Sequence, residues 1–257
     1  MMFLYAFIQK ATQNKIQKNE MKMKQAYDRA ELYKDLFSHD VKNIFQNILS
    51  ANELLKYYLI NNKEEKSELF QIIEMMEDQV IRGKKLAQNV YKISNMQNND
   101  KKLTKINVIK HLENSISYTL NSFRERNINI EFEIPEKPYF MFGNDLLIDV
   151  FENLLMNAIM HNDKRHIMIK VKVIRENTTS NQTIRIVFLD NGPGIPDTMK
   201  RRIFERPIDL KEKKGIGLGL FLVKNIIETF NGAIWVENNN EANFKGGSKF
   251  VIIFPVV

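Results

Sequence analysis

The sequence predicts an α-helical hairpin followed by an α+β sandwich, and three observations carry that prediction. Two heptad seams run through residues 37–98, a polar aperiodic stretch occupies 98–105, and short alternating strands interspersed with helices follow to residue 257. The expected division is a helical lead or linker over 1–36, the hairpin over 37–98 and the sandwich over 104–257.

In the lead, Met21 to Leu36 has helical character, enough for a coiled-coil input and too short for a folded sensor. Met1 to Ile8 is apolar but only eight residues long, against the roughly 20 that cross a bilayer, and no positive n-region precedes it. No membrane span and a cytoplasmic location are expected. The run is compatible with the tail of a longer segment missing upstream, with an interfacial membrane contact or with a buried helix end.

In the first hairpin helix Phe37, Val41, Ile44, Ile48, Ala51, Leu55 and Tyr58 recur in steps of four and three, three full heptads of one seam. Asn61-Asn62-Lys63 interrupts the pattern, and Asn62 with Glu65 has capping-box spacing. The second helix repeats the steps through Leu69, Ile73, Met76, Val80, Gly83, Ala87 and Val90. One hairpin covers only part of each apolar face, so two chains are expected to pair into a four-helix bundle, a homodimer.

Beyond the polar stretch, a helix is expected over about Val108 to Arg126, a strand over Ile128 to Ile134 and a helix over about Asp145 to His161. Alternation through Ile167, Ile169, Val171 and Val173 and through Ile184, Ile186 and Phe188 marks two strands. A helix over Leu218 to Phe230 and strands at Ala233–Glu237 and Lys249–Phe254 close the chain. A mixed sheet covered by helices satisfies this order.

Composition narrows the chemistry. The 44% hydrophobic content supports a core, and the absence of cysteine excludes disulfides, thiolate metal sites and cysteine nucleophiles. The formal net charge is +7, yet lysines are interleaved with acids, as in Lys63-Glu64-Glu65-Lys66, and no aromatic interleaving accompanies them. Nucleic acid is not an expected partner. A basic surface suits an acidic protein.

His39 lies between the seam residues Phe37 and Val41, so it faces outward on the same side as Asn43. A nucleophilic imidazole needs one free nitrogen, and Asp40 can orient the ring through the other or act as its base. Asn153 and Asn157 stand one helical turn apart, and their side-chain oxygens are hard donors suited to Mg²⁺. Asp190-Asn191-Gly192-Pro193-Gly194 ends a strand, where glycines permit close backbone approach and the carboxylate can accept from an exocyclic amine. Gly215-Ile216-Gly217-Leu218-Gly219-Leu220 opens a helix whose amides attract phosphate. It follows no strand, which excludes a Rossmann fingerprint, and no Gly-Lys-Ser/Thr is present for a Walker loop. The glycine turns alone leave kinase, ATPase and chaperone open.

Taken in order, these segments resemble the boxes of sensor histidine kinases. Ser38-His39-Asp40-Val41-Lys42-Asn43 is similar to the phosphoacceptor box, Asn153-Leu154-Leu155-Met156-Asn157-Ala158 to the asparagine box, and Asp190 to Gly194 to the first glycine box. Ile203-Phe204-Glu205-Arg206 is similar to the phenylalanine box, Gly215 to Leu220 to the second glycine box, and Asn231-Gly232 with Gly246-Gly247-Ser248-Lys249-Phe250 to the closing motif. The resemblance spans about Phe37 to Pro255.

It implies a HisKA-like dimerisation and phosphoacceptor hairpin and an ATP-binding domain of the GHKL or Bergerat type. His39 would take the γ-phosphoryl of ATP, with Asp40 orienting or deprotonating it, and pass it to an aspartate of a response-regulator receiver domain. Asn43 would place water in the reverse, dephosphorylating reaction. Asn157, helped by Asn153, would hold Mg²⁺, and Asp190 would read the adenine amine. Gly192, Gly194, Gly215, Gly217, Gly219 and Leu220 would shape the pocket and a lid over about Phe204 to Gly215.

Three residues depart from the family pattern. Met160 stands where a basic residue is usual, with Lys164, Lys213 and Lys214 as candidate substitutes; Ile44 replaces a proline; and Ile216 replaces a serine or threonine. They leave open a phosphatase-biased or catalytically weak signalling scaffold. An ATPase without phosphotransfer is the other alternative, disfavoured because such relatives carry a glutamate where Asn153 stands, and Glu152 is turned about 100° around the helix. His111, His161 and His166 form no metal set at recognisable spacing.

Overall fold

The computed structural model describes residues 41–60, 66–98, 103–133, 138–177, 182–205, 218–239 and 246–256, with scattered positions among the first 27. The chain divides into two compact units between Val90 and Tyr91.

In the first unit, α1 (Lys42–Ile60) buries Ile44 and Ala51, with Val41, Ile48, Leu55 and Tyr58 half-buried along the expected seam. Phe37 and the Asn62 cap lie outside the described residues. The seam of α2 (Lys66–Asn98) is phased differently from the expectation. Leu69, Met76, Gly83 and Val90 do face inward, but the residues between them that do so are Ile72 (4% exposed) and Leu86 (3%), not Ile73 (42%) and Val80 (61%); Ala87 is exposed as well. The cause is local: Ile72-Ile73 and Leu86-Ala87 are adjacent apolar pairs, so steps of three-four and four-three fit equally, and packing selects the first. Gly83 faces Ile44, where an added Cβ would lie 3.7 Å from Cγ2. Asn47 Nδ2 donates to Gln79 Oε1 at 3.2 Å across the same pair of helices.

In the second unit two strands too short to read from sequence, β1 (Thr104–Asn107) and β3 (Phe140–Gly143), pair antiparallel. Between them lie α3 (Val108–Ser122) and β2 (Ile128–Glu133). The Asn107 side chain caps α3 by accepting from the amides of Ile109 and Lys110. The helix stops four residues short of the expected Arg126, and the guanidinium of Arg126 reaches the carbonyl oxygens of Ile159 and Asn162 instead.

The remaining elements are α4 (Leu146–Met160), β4 (Ile167–Asn177), β5 (Gln182–Asp190), a short α5 (Asp197–Lys200), a 3-10 turn (Arg202–Phe204), α6 (Leu218–Thr229), β6 (Ala233–Asn238) and β7 (Ser248–Pro255). The main sheet is five-stranded in the order β2-β4-β5-β7-β6, with β2 and β4 parallel and the other pairs antiparallel. Its inward residues (Ile169 and Val171; Ile184, Ile186 and Phe188; Phe250, Ile252 and Phe254) are buried along with Leu147, Val150, Phe151, Leu154 and Leu155 of α4 and Leu222, Val223, Ile226 and Ile227 of α6. Phe151 stacks against Phe188 with ring centres 5.9 Å apart, and Phe230 against Phe254 at 6.4 Å. Each such side chain contributes about 1.5–3 kcal/mol of burial. That burial fixes α4 and α6 on one face of the sheet, and so the polar residues they carry at one end. On the opposite face Val187, Leu189 and Val251 are buried too, with Met168 and Trp235 packed over them.

Candidate functional site

The site forms where α4, the end of β5, the turn into β7 and the start of α6 meet. Since α4 is pinned by its apolar side, Asn153 and Asn157 are left half-buried on another. Asn153 Nδ2 donates to the carbonyl of Asp149 at 2.7 Å, which commits the amide group and turns Oδ1 toward α6. There Gly219 answers it: a Cβ at that position would lie 2.9 Å from Asn153 Oδ1. A larger residue at 219 would have to push the Asn153 side chain aside. Asn157 follows one turn later, and Leu220 is half-buried in the first turn of α6.

Asp190 is the last residue of β5 and is 6% exposed. Its Oδ1 accepts from two backbone amides, Gly192 N at 2.8 Å and Ser248 N at 3.2 Å. Burial pushes the carboxyl pKa above the ordinary aspartate value, against the pull of the Gly192 and Ser248 amides, the Ser248 hydroxyl and the nearby Lys164 charge. A buried carboxylate with one oxygen tied to the backbone is a fixed acceptor for a ligand donor.

The glycines around it are held by space. A Cβ on Gly247 would come 1.7 Å from the Asp190 carbonyl oxygen, and one on Gly192 would come 2.9 Å from Asp190 Oδ1. Gly194 combines a φ of +76° with a Cβ position 2.3 Å from the Gly246 carbonyl oxygen. The turn before β7 thus packs directly on the end of β5.

Among the remaining expected site residues, Asn43 lies on the exposed side of α1 in the first unit. His39, Asp40, Gly215 and Gly217 lie outside the described residues, as do Ile216, Lys213 and Lys214. Met160 is exposed at the end of α4, and Lys164 sits close enough to Asp190 to favour its ionised form. Near the start of α4, Lys92 pairs with Asp149, and the half-buried Glu152 has its pKa raised, first by burial and then by the Asp149 charge, against Lys92. No group of three or more His, Asp or Glu side chains able to hold a metal occurs among the described residues.

Three residues of the site were given no role from sequence. Ser248 holds Asp190 through its amide. Asn191 and Asn162 form a buried pair behind it, Asn162 Nδ2 donating to Asn191 Oδ1 at 2.8 Å. Asn191 belongs to the Asp190–Gly194 segment, whereas nothing in the sequence pattern around Asn162 distinguishes it.

A profile of the family described as histidine kinase-, DNA gyrase B- and HSP90-like ATPases matches residues 143–257. The match covers somewhat less than half of the chain. The matched stretch contains α4, Asp190 and its glycines, and α6. The adaptive-response sensory kinase SasA of Gloeothece citriformis is 35% identical over 53% of this chain and 34% of its own length. The chain spans about a third of the length of the first such relatives. The sensor protein kinase WalK of Staphylococcus aureus is 25% identical over 84% of this chain and 51% of its own. Among solved structures, the catalytic domain of the histidine kinase ThkA is 26% identical, with a TM-score of 0.50 over 60% of this chain and 97% of that one. ThkA in complex with the response regulator TrrA matches 92% of this chain and 66% of its own at a TM-score of 0.57 and 19% identity, a likeness of fold. Among the described residues no helix is long and apolar enough to cross a membrane.

Proposed function

We propose that this chain is the transmitter portion of a sensor histidine kinase, which takes the γ-phosphoryl group of ATP onto His39 and passes it to an aspartate of a response-regulator receiver domain in the cytoplasm. The observation that carries the reading is Asp190: a buried carboxylate, fixed by the amides of Gly192 and Ser248, within the stretch similar to the ATPase family. Its free acceptor capacity suits the exocyclic amine of adenine. The first turn of α6, kept close to Asn153 by Gly219, offers backbone amides to phosphate oxygens.

The donor set also fits a magnesium ion. Asn153 and Asn157 bring neutral oxygens and no carboxylate cluster, which matches an ion that keeps its waters and is held chiefly by the nucleotide phosphates. Bound there through Asn157, Mg²⁺ would neutralise phosphate charge.

In the transfer, a nitrogen of His39 bonds to the γ-phosphorus as the bond from that phosphorus to the bridging oxygen breaks and ADP leaves. Asp40 holds the proton of the other ring nitrogen or accepts it. In the second step the histidine N–P bond breaks as the receiver carboxylate forms an acyl phosphate. The hairpin supports the homodimer this chemistry uses: Phe45, Leu49, Phe70, Ile73, Val80 and Ile81 are exposed in the single chain and apolar.

The test is labelling of the purified chain from γ-labelled ATP and Mg²⁺, followed by addition of receiver domains. The reading requires an acid-labile label that chases onto a receiver and is absent from His39→Gln. A label that survives this substitution contradicts it.

A further inference from the structure

Behind Asp190 lies a buried polar relay that none of the expected roles uses. Asn191 extends the pairing of β5 with β4 beyond the end of the strand, through its side chain as well as its backbone. Its amide donates to the Met168 carbonyl at 3.1 Å, its Oδ1 accepts from the Met168 amide at 3.0 Å, and its Nδ2 donates to the His166 carbonyl at 3.1 Å. The second lone pair of that Oδ1 takes the 2.8 Å bond from Asn162 Nδ2. All the hydrogen-bonding capacity of the Asn191 side chain but one donor is thereby accounted for.

Asn162, 1% exposed, is the pivot on the other side. It follows the C-terminus of α4, and its Oδ1 accepts from the Lys164 amide at 3.1 Å. Its carbonyl accepts from Arg126 Nη2 at 2.9 Å, while Arg126 Nη1 donates to the carbonyl of Ile159 at 3.1 Å. A guanidinium placed there adds a charged donor to the carbonyls at the end of α4 and favours the negative end of its dipole. An unbroken set of hydrogen bonds thus runs from Arg126, across the end of the helix that carries Asn153 and Asn157, to the residue next to Asp190.

The relay ends beside the turn that holds the carboxylate. Asp190 Oδ1 is aimed by the Gly192 amide, two residues along the same turn, and a Cβ added at Gly192 would touch both Asp190 Oδ1 (2.9 Å) and the Asn162 side chain (3.6 Å). Without the Asn162 side chain, Asn191 keeps its bonds to Met168 and His166 but loses its link to the end of α4, and the space beside Gly192, whose amide sets where the carboxylate points, opens. We propose that Asn162 and Asn191, anchored by Arg126, are positioning residues that aim the Asp190 carboxylate and so set the preference of the pocket for a 6-amino over a 6-oxo purine. The proposal rests on the reading that this pocket takes ATP with its base on Asp190.

The experiment compares ADP with inosine diphosphate by titration calorimetry on the whole chain, as wild type, Asn162→Ala, Asn162→Ser and Arg126→Gln. The two ligands share their phosphates, so general damage to the pocket lowers both affinities alike, whereas misaiming of Asp190 lowers only the ADP advantage. The expected result for Asn162→Ala is a fall in the ADP-to-IDP affinity ratio of about tenfold, the worth of one aimed hydrogen bond, with IDP affinity unchanged. Asn162→Ser, which keeps a hydroxyl donor, should restore part of the ratio. Arg126→Gln, a change at an exposed position, should lower it in the same direction. An unaltered ratio in the folded variants overturns the proposal. A wild-type chain that binds both nucleotides equally overturns the reading beneath it, which separates the two failures.

Discussion

Replacing Asp190 by asparagine should reverse the base preference of the pocket. The carboxylate Oδ1 already accepts from Gly192 N at 2.8 Å and Ser248 N at 3.2 Å, so the amide that replaces it has only one acceptable orientation. Its oxygen must take the place of Oδ1, because an NH₂ group there would face two backbone donors, and the Ser248 hydroxyl can rotate to accept. The new NH₂ therefore replaces the other carboxylate oxygen. Facing adenine, a donor then meets a donor, and a charge-assisted hydrogen bond worth about 1.5–3 kcal/mol is lost. Facing the carbonyl of a 6-oxo purine, the same NH₂ gains a neutral bond of about 0.5–1.5 kcal/mol. The two changes add to about 2–4.5 kcal/mol of selectivity, a shift of roughly 30- to 2,000-fold in the ADP-to-IDP ratio. Competition titrations with the two diphosphates read this directly. In the wild type ADP affinity should also decline on acidification, beginning above the usual aspartate range because burial raises this pKa, and Asp190→Asn should abolish that dependence. An Asp190→Asn chain that is folded and keeps the wild-type ratio refutes the assignment of Asp190 to the base.

Gly247→Ala should be severely destabilising, because the added Cβ would lie 1.7 Å from a backbone oxygen that cannot yield; a loss of about 3 kcal/mol, or some 6–12 °C in Tm, with ADP binding abolished, is expected by thermal melting. Gly83→Ala serves as its contrast: the added Cβ meets Ile44 at 3.7 Å, and the helix gains about 0.8–1 kcal/mol of propensity, so Tm should stay or rise. Glu152 has its folded pKa raised by burial and by Asp149, so its contribution to stability is fully present below the unfolded pKa and is lost as pH rises through the folded one. Glu152→Gln should accordingly melt higher than wild type at neutral pH, with the gap closing below about pH 4; a gap of the same size at every pH would contradict this. In the hairpin, the double substitution Ile73→Lys and Val80→Glu should leave helix content intact and shift the chain to monomer in light scattering, each lost apolar contact weakening association by about 1.5–3 kcal/mol.

The division between helical and sheet-forming parts was legible because periodicity speaks for burial, and the strands that bury alternate residues (Ile184, Ile186 and Phe188) carry it clearly. What escaped follows from the same physics. The four-residue strands β1 and β3 are defined by pairing with each other, Thr104 opposite Gly143, and four residues hold too little pattern to announce a partner. The phase of α2 was ambiguous wherever two apolar residues adjoin, as at Ile72-Ile73, since only the neighbouring helix decides which is buried. At the site, residues acting through glycine and carboxylate chemistry stood out in sequence. What each glycine faces did not: Gly219 lies against Asn153 and Gly247 against the Asp190 carbonyl, contacts between segments far apart in the chain. Asn162 was illegible because its role is set entirely by what surrounds it: Asn191, Lys164 and Arg126 converge on one side chain and its carbonyl.

Delivery of phosphate from bound nucleotide to one histidine is the step to be tested. The most direct measurement is mass-spectrometric mapping of the phosphorylated residue after incubation with ATP and Mg²⁺ under alkaline handling, with released phosphate counted alongside. Phosphohistidine is expected at His39, with no label from α-labelled ATP and no formation in Asp190→Asn at limiting ATP. Steady release of inorganic phosphate with no phosphoprotein at any time would contradict it and make the domain a hydrolase.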